Sequence, residues 1–193
     1  MNKRWCLAGW KGISTMEKQR IEAKAQNILR QFGMSTAGQV DVLLLAQNAG
    51  FVVGNANLDD DEDGIILVNT REETILGVKT QKLIGVNSRR DLPSKRFIIA
   101  HELGHYFFHL EKERGGDIIL ARRENLVDRD GEENDMDYFA ACLLMPADAF
   151  RRKYGELKEM GIPLSEMPMR LSKLFNVPLI SAERRVGEVG LAT

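Results

Sequence analysis

The feature that most constrains this chain is the sequence His-Glu-Leu-Gly-His at residues 101–105. Residues four apart lie on the same face of an α-helix, so the imidazoles of His101 and His105 can bind one metal ion together. Glu102 lies about a quarter-turn away, where it can reach a water on that ion but is poorly placed as a third ligand. Zinc hydrolysis needs this arrangement, because the ion lowers the pKa of its water to roughly 7 and a carboxylate accepts the proton. The spacing therefore predicts zinc ligands at His101 and His105 and a general base at Glu102.

The residues around this motif predict a buried helix. Apolar residues occur on both helical faces from Phe97 to Leu110. Asp91 or Ser94 can cap the start of this helix, and Pro93 suits its first turn. Two ordinary polar histidines on a helix are the competing interpretation, because the motif alone produces false positives. A buried helix must however satisfy its histidines and glutamate, and a metal ion satisfies all three.

A third zinc ligand is expected downstream, because a catalytic zinc takes three protein ligands and a water. Residues 131–146 begin with acidic residues and continue as an apolar helix that Pro146 ends. Glu133 and Asp137 lie four apart on one face of this helix. Glu133 is the predicted third ligand, with Glu132 as the alternative, and Asp137 is predicted to accept the free N–H of a ligand histidine. The helix dipole explains an acidic first turn but not Asp137, which lies beside the apolar stripe.

Three neighbouring residues are interpreted as structural. His109 follows His105 by four residues, but three histidines on one straight helix cannot comfortably reach one tetrahedral ion. It also lacks the metzincin spacing, which needs a glycine turn before the third histidine. Tyr106 and Tyr138 adjoin predicted site residues in sequence, but helix geometry turns both side chains away.

Composition and charge favour a compact cytoplasmic protein. A chain of 193 residues suits one domain with a small appendage, and a net charge of −1 argues against bulk attraction to nucleic acid or membrane. No apolar run approaches the ~20 residues of a membrane helix, and residues 1–14 lack the features of a signal peptide. Cys6 and Cys142 are the only cysteines and do not form a metal or redox pair; Cys142 is predicted to lie in the core. We therefore expect a cytoplasmic location and no membrane partner.

The first half of the chain predicts a scaffold of helices and short strands. Ser14 and Glu17 form a capping box for a helix that ends at Gly33, and a second helix is predicted over Val40–Ala49. The acidic run at residues 59–63 is interpreted as a solvated turn, because its spacing lacks the ligand pattern of a calcium loop. Short β-branched runs predict a small, largely antiparallel sheet with strands at Phe51–Val53, Ile65–Asn69, Thr74–Lys79 and Leu83–Asn87.

The C-terminal segment predicts three helices, at Ala147–Met160, Leu164–Phe175 and Pro178–Val189, with a turn at residues 176–177. Residues 146–193 contain eight Lys/Arg and six Asp/Glu, a net charge of only +2. A dedicated DNA-binding module usually carries a stronger basic face. Packing and protein docking are therefore favoured over DNA binding as the role of this segment.

Two motifs together resemble the ImmA/IrrE family of metallopeptidases. The first is Phe-Ile-Ile-Ala-His-Glu-Leu-Gly-His-Tyr at residues 97–106, and the second places Glu133 and Asp137 before Phe-Ala-Ala-x-Leu-Leu-Met-Pro at residues 139–146. The order of the motifs also resembles the thermolysin-like gluzincins. The similarity extends over roughly residues 16–193, with one departure at Met136, where the family commonly has a small residue.

The resemblance implies an α+β fold, in which a zincin-like domain has a small antiparallel sheet and an active-site helix with the HExxH motif. It implies an N-terminal arm at residues 1–15, a zinc metallopeptidase domain at 16–146 and a helical, helix-turn-helix-like subdomain at 147–193. The expected activity is that of a cytoplasmic zinc endopeptidase that cleaves a helix-turn-helix repressor and so induces a mobile element or stress response.

A regulatory binding module is the alternative function, as a DNA-binding factor or a toxin–antitoxin partner with a mainly structural zinc. Glu102 argues against it, because a structural site has no use for a base beside an open position.

Overall fold

A computed structural model describes residue 10 and residues 12–75, 77–109, 119–121 and 129–191. Two helices precede three strands, a buried helix and a short fourth strand follow them, and the described elements after that strand are all helical. None of the described helices is long and apolar enough to cross a membrane. In chain order, the elements are α1 (Thr15–Gln31), α2 (Val42–Asn48), β1 (Val52–Ala56), β2 (Gly64–Ile75), β3 (Val78–Asn87), α3 (Leu92–Phe108), β4 (Ile119–Ala121), α4 (Arg129–Leu144), α5 (Ala147–Glu159), a 3-10 turn (Leu164–Glu166), α6 (Met167–Phe175) and α7 (Leu179–Glu188).

The first two helices begin where side chains cap their free amides. The Ser14 hydroxyl accepts a hydrogen bond from the Glu17 amide, as the capping box predicts. In α2, the carboxylate of Asp41 accepts from the Leu44 amide at 3.0 Å, so the helix begins at Val42. The predicted start at Val40 was therefore two residues early, because Asp41 is the N-cap residue.

The four strands form one mixed sheet in the order β1-β3-β2-β4. Strand β2 pairs antiparallel with β3 and β4, but β1 pairs parallel with β3, so the expectation of an antiparallel sheet was wrong for this pair. The predicted strand at Thr74–Lys79 was also wrong, because this segment contains the hairpin turn between β2 and β3. Gly77 has a φ of +80° there, which glycine adopts without steric cost.

Helix α3 is the central buried element, as predicted. The Asp91 carboxylate caps it by accepting from the Ser94 amide at 2.9 Å. Every residue from 96 to 105 is buried, and so is Phe107. Sheet strands β2 and β3 contact α3, and α4 packs across it. This packing buries the polar residues of α3.

The three C-terminal helices pack onto the same hydrophobic core as α1, α3 and α4. The predicted helix over Leu164–Phe175 divides into a 3-10 turn and α6, because Pro168 lies at the start of α6 and cannot donate a backbone hydrogen bond. Asn176 adopts a left-handed φ of 51° in the turn before α7, and its carbonyl accepts from the buried Arg96 at 3.1 Å. The expected domain boundary at residue 146 stays a prediction.

A buried ion pair joins α7 to α1. The Arg185 side chain is fully buried and donates to both carboxylate oxygens of Glu22, at 2.6 and 3.2 Å, and to the Met145 carbonyl at 3.1 Å. Cys142 lies beside this pair in the core, as predicted, and burial raises the pKa of its thiol to about 12. A core thiol of this kind is an inert packing group.

Replacing Glu22 by Gln is expected to reduce the free energy of unfolding by about 3 kcal/mol, because the substitution leaves a buried guanidinium without its counter-charge. Urea unfolding measures this loss. The matched control is Glu188→Gln, which breaks a half-exposed pair with Lys18 and should cost no more than ~1 kcal/mol. Equal losses in the two variants would contradict a structural role for the Arg185 pair.

The acidic run at residues 59–63 is only partly a solvated turn. Residues 59–61 are exposed, as a solvated turn predicts, but Asp63 is buried and pairs with Arg90 at 2.6 Å. The Asn87 amide group donates to the carbonyls of Asp59 and Glu62 and holds the turn in place.

Most of the predicted N-terminal arm, including Cys6, lies outside the described residues. Of the described part, Trp10 packs edge-on against Tyr138.

Candidate active site

Helix α3 brings the two motif histidines to the same point. His101 and His105 lie one helical turn apart, and their Nε2 atoms are 3.0 Å from each other. Both residues are buried, with 4% and 8% of their surface exposed. Two imidazole nitrogens that converge in a buried position either share one proton in a hydrogen bond or bind the same metal ion through both lone pairs.

Helix α4 adds the carboxylate of Glu133 to this pair. One oxygen of Glu133 lies 3.3 Å from Nε2 of His101, and the other lies 3.5 Å from Nε2 of His105. Ligands on a tetrahedral zinc with bonds of about 2.0–2.1 Å are separated by roughly 3.3–3.4 Å. The three donor groups therefore have the spacing and the chemistry that one tetrahedral zinc ion requires.

Glu132, the alternative ligand, faces another direction. Its carboxylate lies 2.7 Å from Nε2 of His109, whose side chain is 46% exposed. Donor atoms of His105, His109 and Glu132 also lie within 4.8 Å of one another. The His109–Glu132 distance is that of a direct hydrogen bond, however, and is shorter than the separation of two ligands on zinc. The structure thus favours Glu133 as the third ligand.

Asp137 holds the ring of His101. Its carboxylate lies 2.8 Å from Nδ1 of His101 and holds a proton on that nitrogen, so Nε2, which faces Glu133, is the nitrogen that can bind a metal ion when the ring is neutral. Burial by itself lowers the pKa of His101, but hydrogen bonds to Asp137 and Glu133 and the nearby charge of Glu102 raise it to about 10. The surroundings of this ring therefore favour a positive charge, which a metal ion supplies.

The carboxylate of Glu102 lies against the beginning of β2. It is 7% exposed, and a Cβ atom added to Gly64 would lie 3.0 Å from its Oε1 and 2.4 Å from Cγ2 of Ile98. The bare backbone of Gly64 therefore leaves the space that this side chain occupies. Gly64 was not predicted as a residue of the site, although a glycine at the start of a β-branched strand is a known sign of close backbone approach.

Replacing Gly64 by Ala is expected to reduce peptide cleavage by roughly 10–100-fold, because the new methyl group would lie 2.4 Å from Cγ2 of Ile98 and 3.0 Å from Oε1 of Glu102 and so forces these side chains to shift. Zinc content should remain that of the wild type, since no predicted ligand touches Gly64. Cleavage of a peptide that the wild type hydrolyses, together with metal analysis, measures both effects. Gly54→Ala is the matched control, because its Cβ would meet no atom within 4 Å. Wild-type cleavage by Gly64→Ala would contradict this role.

The two tyrosines beside the site point elsewhere, as expected from helix geometry. The Tyr106 hydroxyl accepts a hydrogen bond from Lys82 at 2.7 Å, and its ring packs against Phe51. Tyr138 packs against Trp10, with the Lys18 ammonium 5.8 Å from its ring centroid. The structure thus gives both tyrosines packing roles.

A match to a protein family shows the class of protein to which this fold and donor set belong. A sequence model of the peptidase M78 family, described as the IrrE N-terminal-like domain, matches residues 58–186, which is more than half of the chain. The chain therefore belongs to this family of zinc metallopeptidases, and the ImmA/IrrE resemblance is confirmed. No curated protein matches the chain.

Proposed function

We propose that this protein is a zinc-dependent endopeptidase in which His101, His105 and Glu133 hold the ion. The observation that supports this proposal best is the convergence of three donor groups: the two Nε2 atoms lie 3.0 Å apart, and the two oxygens of Glu133 lie 3.3 Å from Nε2 of His101 and 3.5 Å from Nε2 of His105, with the buried carboxylate of Glu102 nearby. When bound, a zinc ion there supplies the Lewis acidity that activates water and polarises a peptide carbonyl.

The protein side chains perform the proton transfers. Glu102 accepts a proton from water as the water attacks the carbonyl carbon of the peptide, and then donates this proton to the departing amine nitrogen. The surroundings of Glu102 are dry, which strengthens its interactions with charges that develop during the reaction. Asp137 fixes the tautomer and orientation of His101 throughout.

The proposed substrate is a specific protein, a helix-turn-helix transcriptional repressor whose cleavage induces a mobile element or a stress response in the cytoplasm. Membership of the IrrE-like family supports this substrate class. Co-expression with a repressor encoded nearby in the genome tests it, because intact-mass analysis would show one defined cut. A repressor that stays uncut beside the active protein would exclude that substrate.

The C-terminal helices are proposed to form a helix-turn-helix-like subdomain that docks proteins. One of the eight cations of residues 146–193 is held in a structural contact, because Arg185 is fully buried on Glu22. This contact removes one positive charge from the surface of the segment. Protein docking therefore fits this unit better than DNA binding does.

A regulatory binding module with a structural zinc is the competing proposal, and the α6–α7 pair is the observation that favours it. Such a module needs the metal ligands but has no use for a base at residue 102. The two proposals therefore predict different results for a variant that lacks the Glu102 carboxylate but still binds zinc. The endopeptidase proposal predicts that this variant loses its function, and the binding-module proposal predicts that the function remains.

A further inference from the structure

We propose that Gly104 is a positioning residue for the metal site, because its missing side chain lets α4 approach α3 closely enough for Glu133 to complete the site. Met136 is the residue of α4 that fills this contact. The inference rests on the proposed function, since it takes His101, His105 and Glu133 as the zinc ligands.

The contact between the two helices leaves no room for a side chain at Gly104. A Cβ atom built on Gly104 would lie 2.9 Å from Sδ of Met136 and 3.0 Å from Cδ1 of Phe139. Real Cβ atoms essentially never come nearer than 3.0 Å to another heavy atom. The separation of α3 and α4 at this point therefore depends on the absence of a side chain at Gly104.

The neighbours of Gly104 have little room to move aside. Met136 is 2% exposed and Phe139 is fully buried, so neither side chain can move out into solvent to make room. The Phe139 ring also packs edge-on against Phe108, with centroids 5.5 Å apart. Protein interiors are packed at the density of organic crystals, so an added methyl group displaces a whole element when the side chains cannot move.

The position of this contact ties it to the metal ligands. Gly104 lies between His101 and His105 on α3, and Met136 lies between Glu133 and Asp137 on α4. A shift of α4 at Met136 would thus lengthen the Glu133–histidine distances and the 2.8 Å contact to His101 together. Metal–ligand distances tolerate changes of only about 0.2 Å, so a small shift of the helix lowers the affinity for zinc.

The test is to measure the zinc affinity of Gly104→Ala and of the double variant Gly104→Ala/Met136→Ala by competition with a chromophoric chelator. The single variant is expected to bind zinc about 10–100-fold more weakly than the wild type. The double variant should recover most of this loss, because removing the Met136 side chain makes room for the methyl group and for the Phe139 ring. The visible spectrum of the cobalt(II)-substituted protein should change in the single variant and return in the double, since this spectrum reports coordination geometry.

Two glycines provide matched controls. A Cβ atom at Gly131 in α4 or at Gly155 in α5 would meet no atom within 4 Å. Gly131→Ala and Gly155→Ala gain the same helix propensity as Gly104→Ala and should bind zinc as the wild type does. A loss that is confined to Gly104→Ala is therefore due to the contact with α4.

Wild-type zinc affinity in Gly104→Ala would overturn this inference. A double variant that binds zinc as weakly as the single variant would overturn it too. A wild-type protein that binds no zinc would instead contradict the proposed function. Urea unfolding of the metal-free proteins then tests the packing contact by itself. A smaller loss of stability from Gly104→Ala in the Met136→Ala background than in the wild type would support the contact, and equal losses in the two backgrounds would exclude it.

Discussion

Replacing Glu102 by Gln is expected to lower peptide cleavage by at least ~10²–10⁴-fold, because glutamine has the shape of glutamate but cannot accept the proton of the attacking water. The variant should fold and bind zinc as the wild type does, since Glu102 is not a predicted ligand. Cleavage assays and metal analysis on the same preparation measure both properties. Release of the repressed genes in cells should disappear together with cleavage.

A matched control for this variant is Glu183→Gln, which makes the same chemical change on the exposed surface of α7. This control should cleave at the wild-type rate. If Glu102→Gln still releases the repressed genes in cells, proteolysis is not how the protein acts, and the binding-module proposal takes first place.

Replacing Glu133 by Ala is expected to reduce zinc occupancy sharply, because two imidazoles alone form a weak site. Glu132→Ala is the matched control at the next position and should keep its zinc, since Glu132 lies against His109 and not between the two ligand histidines. Elemental analysis after dialysis against a weak chelator measures both variants. Full occupancy in Glu133→Ala together with loss in Glu132→Ala would refute the assignment.

Local sequence patterns predicted the parts of the site that lie on one helix. His101 and His105 converge because of the helical repeat, which a sequence shows directly. The helix caps at Ser14 and Asp91 were also predictable, since capping depends on residues within one turn. The spacing of Glu133 and Asp137 beside an apolar stripe also predicted that both side chains face α3.

Contacts between distant segments were harder to predict. The sequence could not separate Glu132 from Glu133, because adjacent residues differ only in the direction that the packed helix gives them. The parallel pairing of β1 with β3 depends on which strand edges meet in the fold, and no local pattern carries this information. Asp63 looked like part of a solvated run, but Arg90 lies 27 positions later in the chain and buries it.

The roles of Gly64 and Gly104 could not be predicted from the sequence. Each is a glycine whose role depends on what lies across from it in the fold: the Glu102 carboxylate for Gly64 and the Met136 side chain for Gly104. A glycine in a strand or helix signals close approach in general terms. Only the packed structure identifies the partner.

The most direct test of the central claim is a zinc titration of the metal-free protein that is followed by its cleavage of a substrate. We predict that cleavage is absent without metal and rises to a plateau at a single zinc ion per chain. Glu102→Gln, titrated in parallel, should take up the same amount of zinc and stay inactive. Cleavage that is independent of zinc, or equal cleavage by Glu102→Gln at full occupancy, would contradict the account.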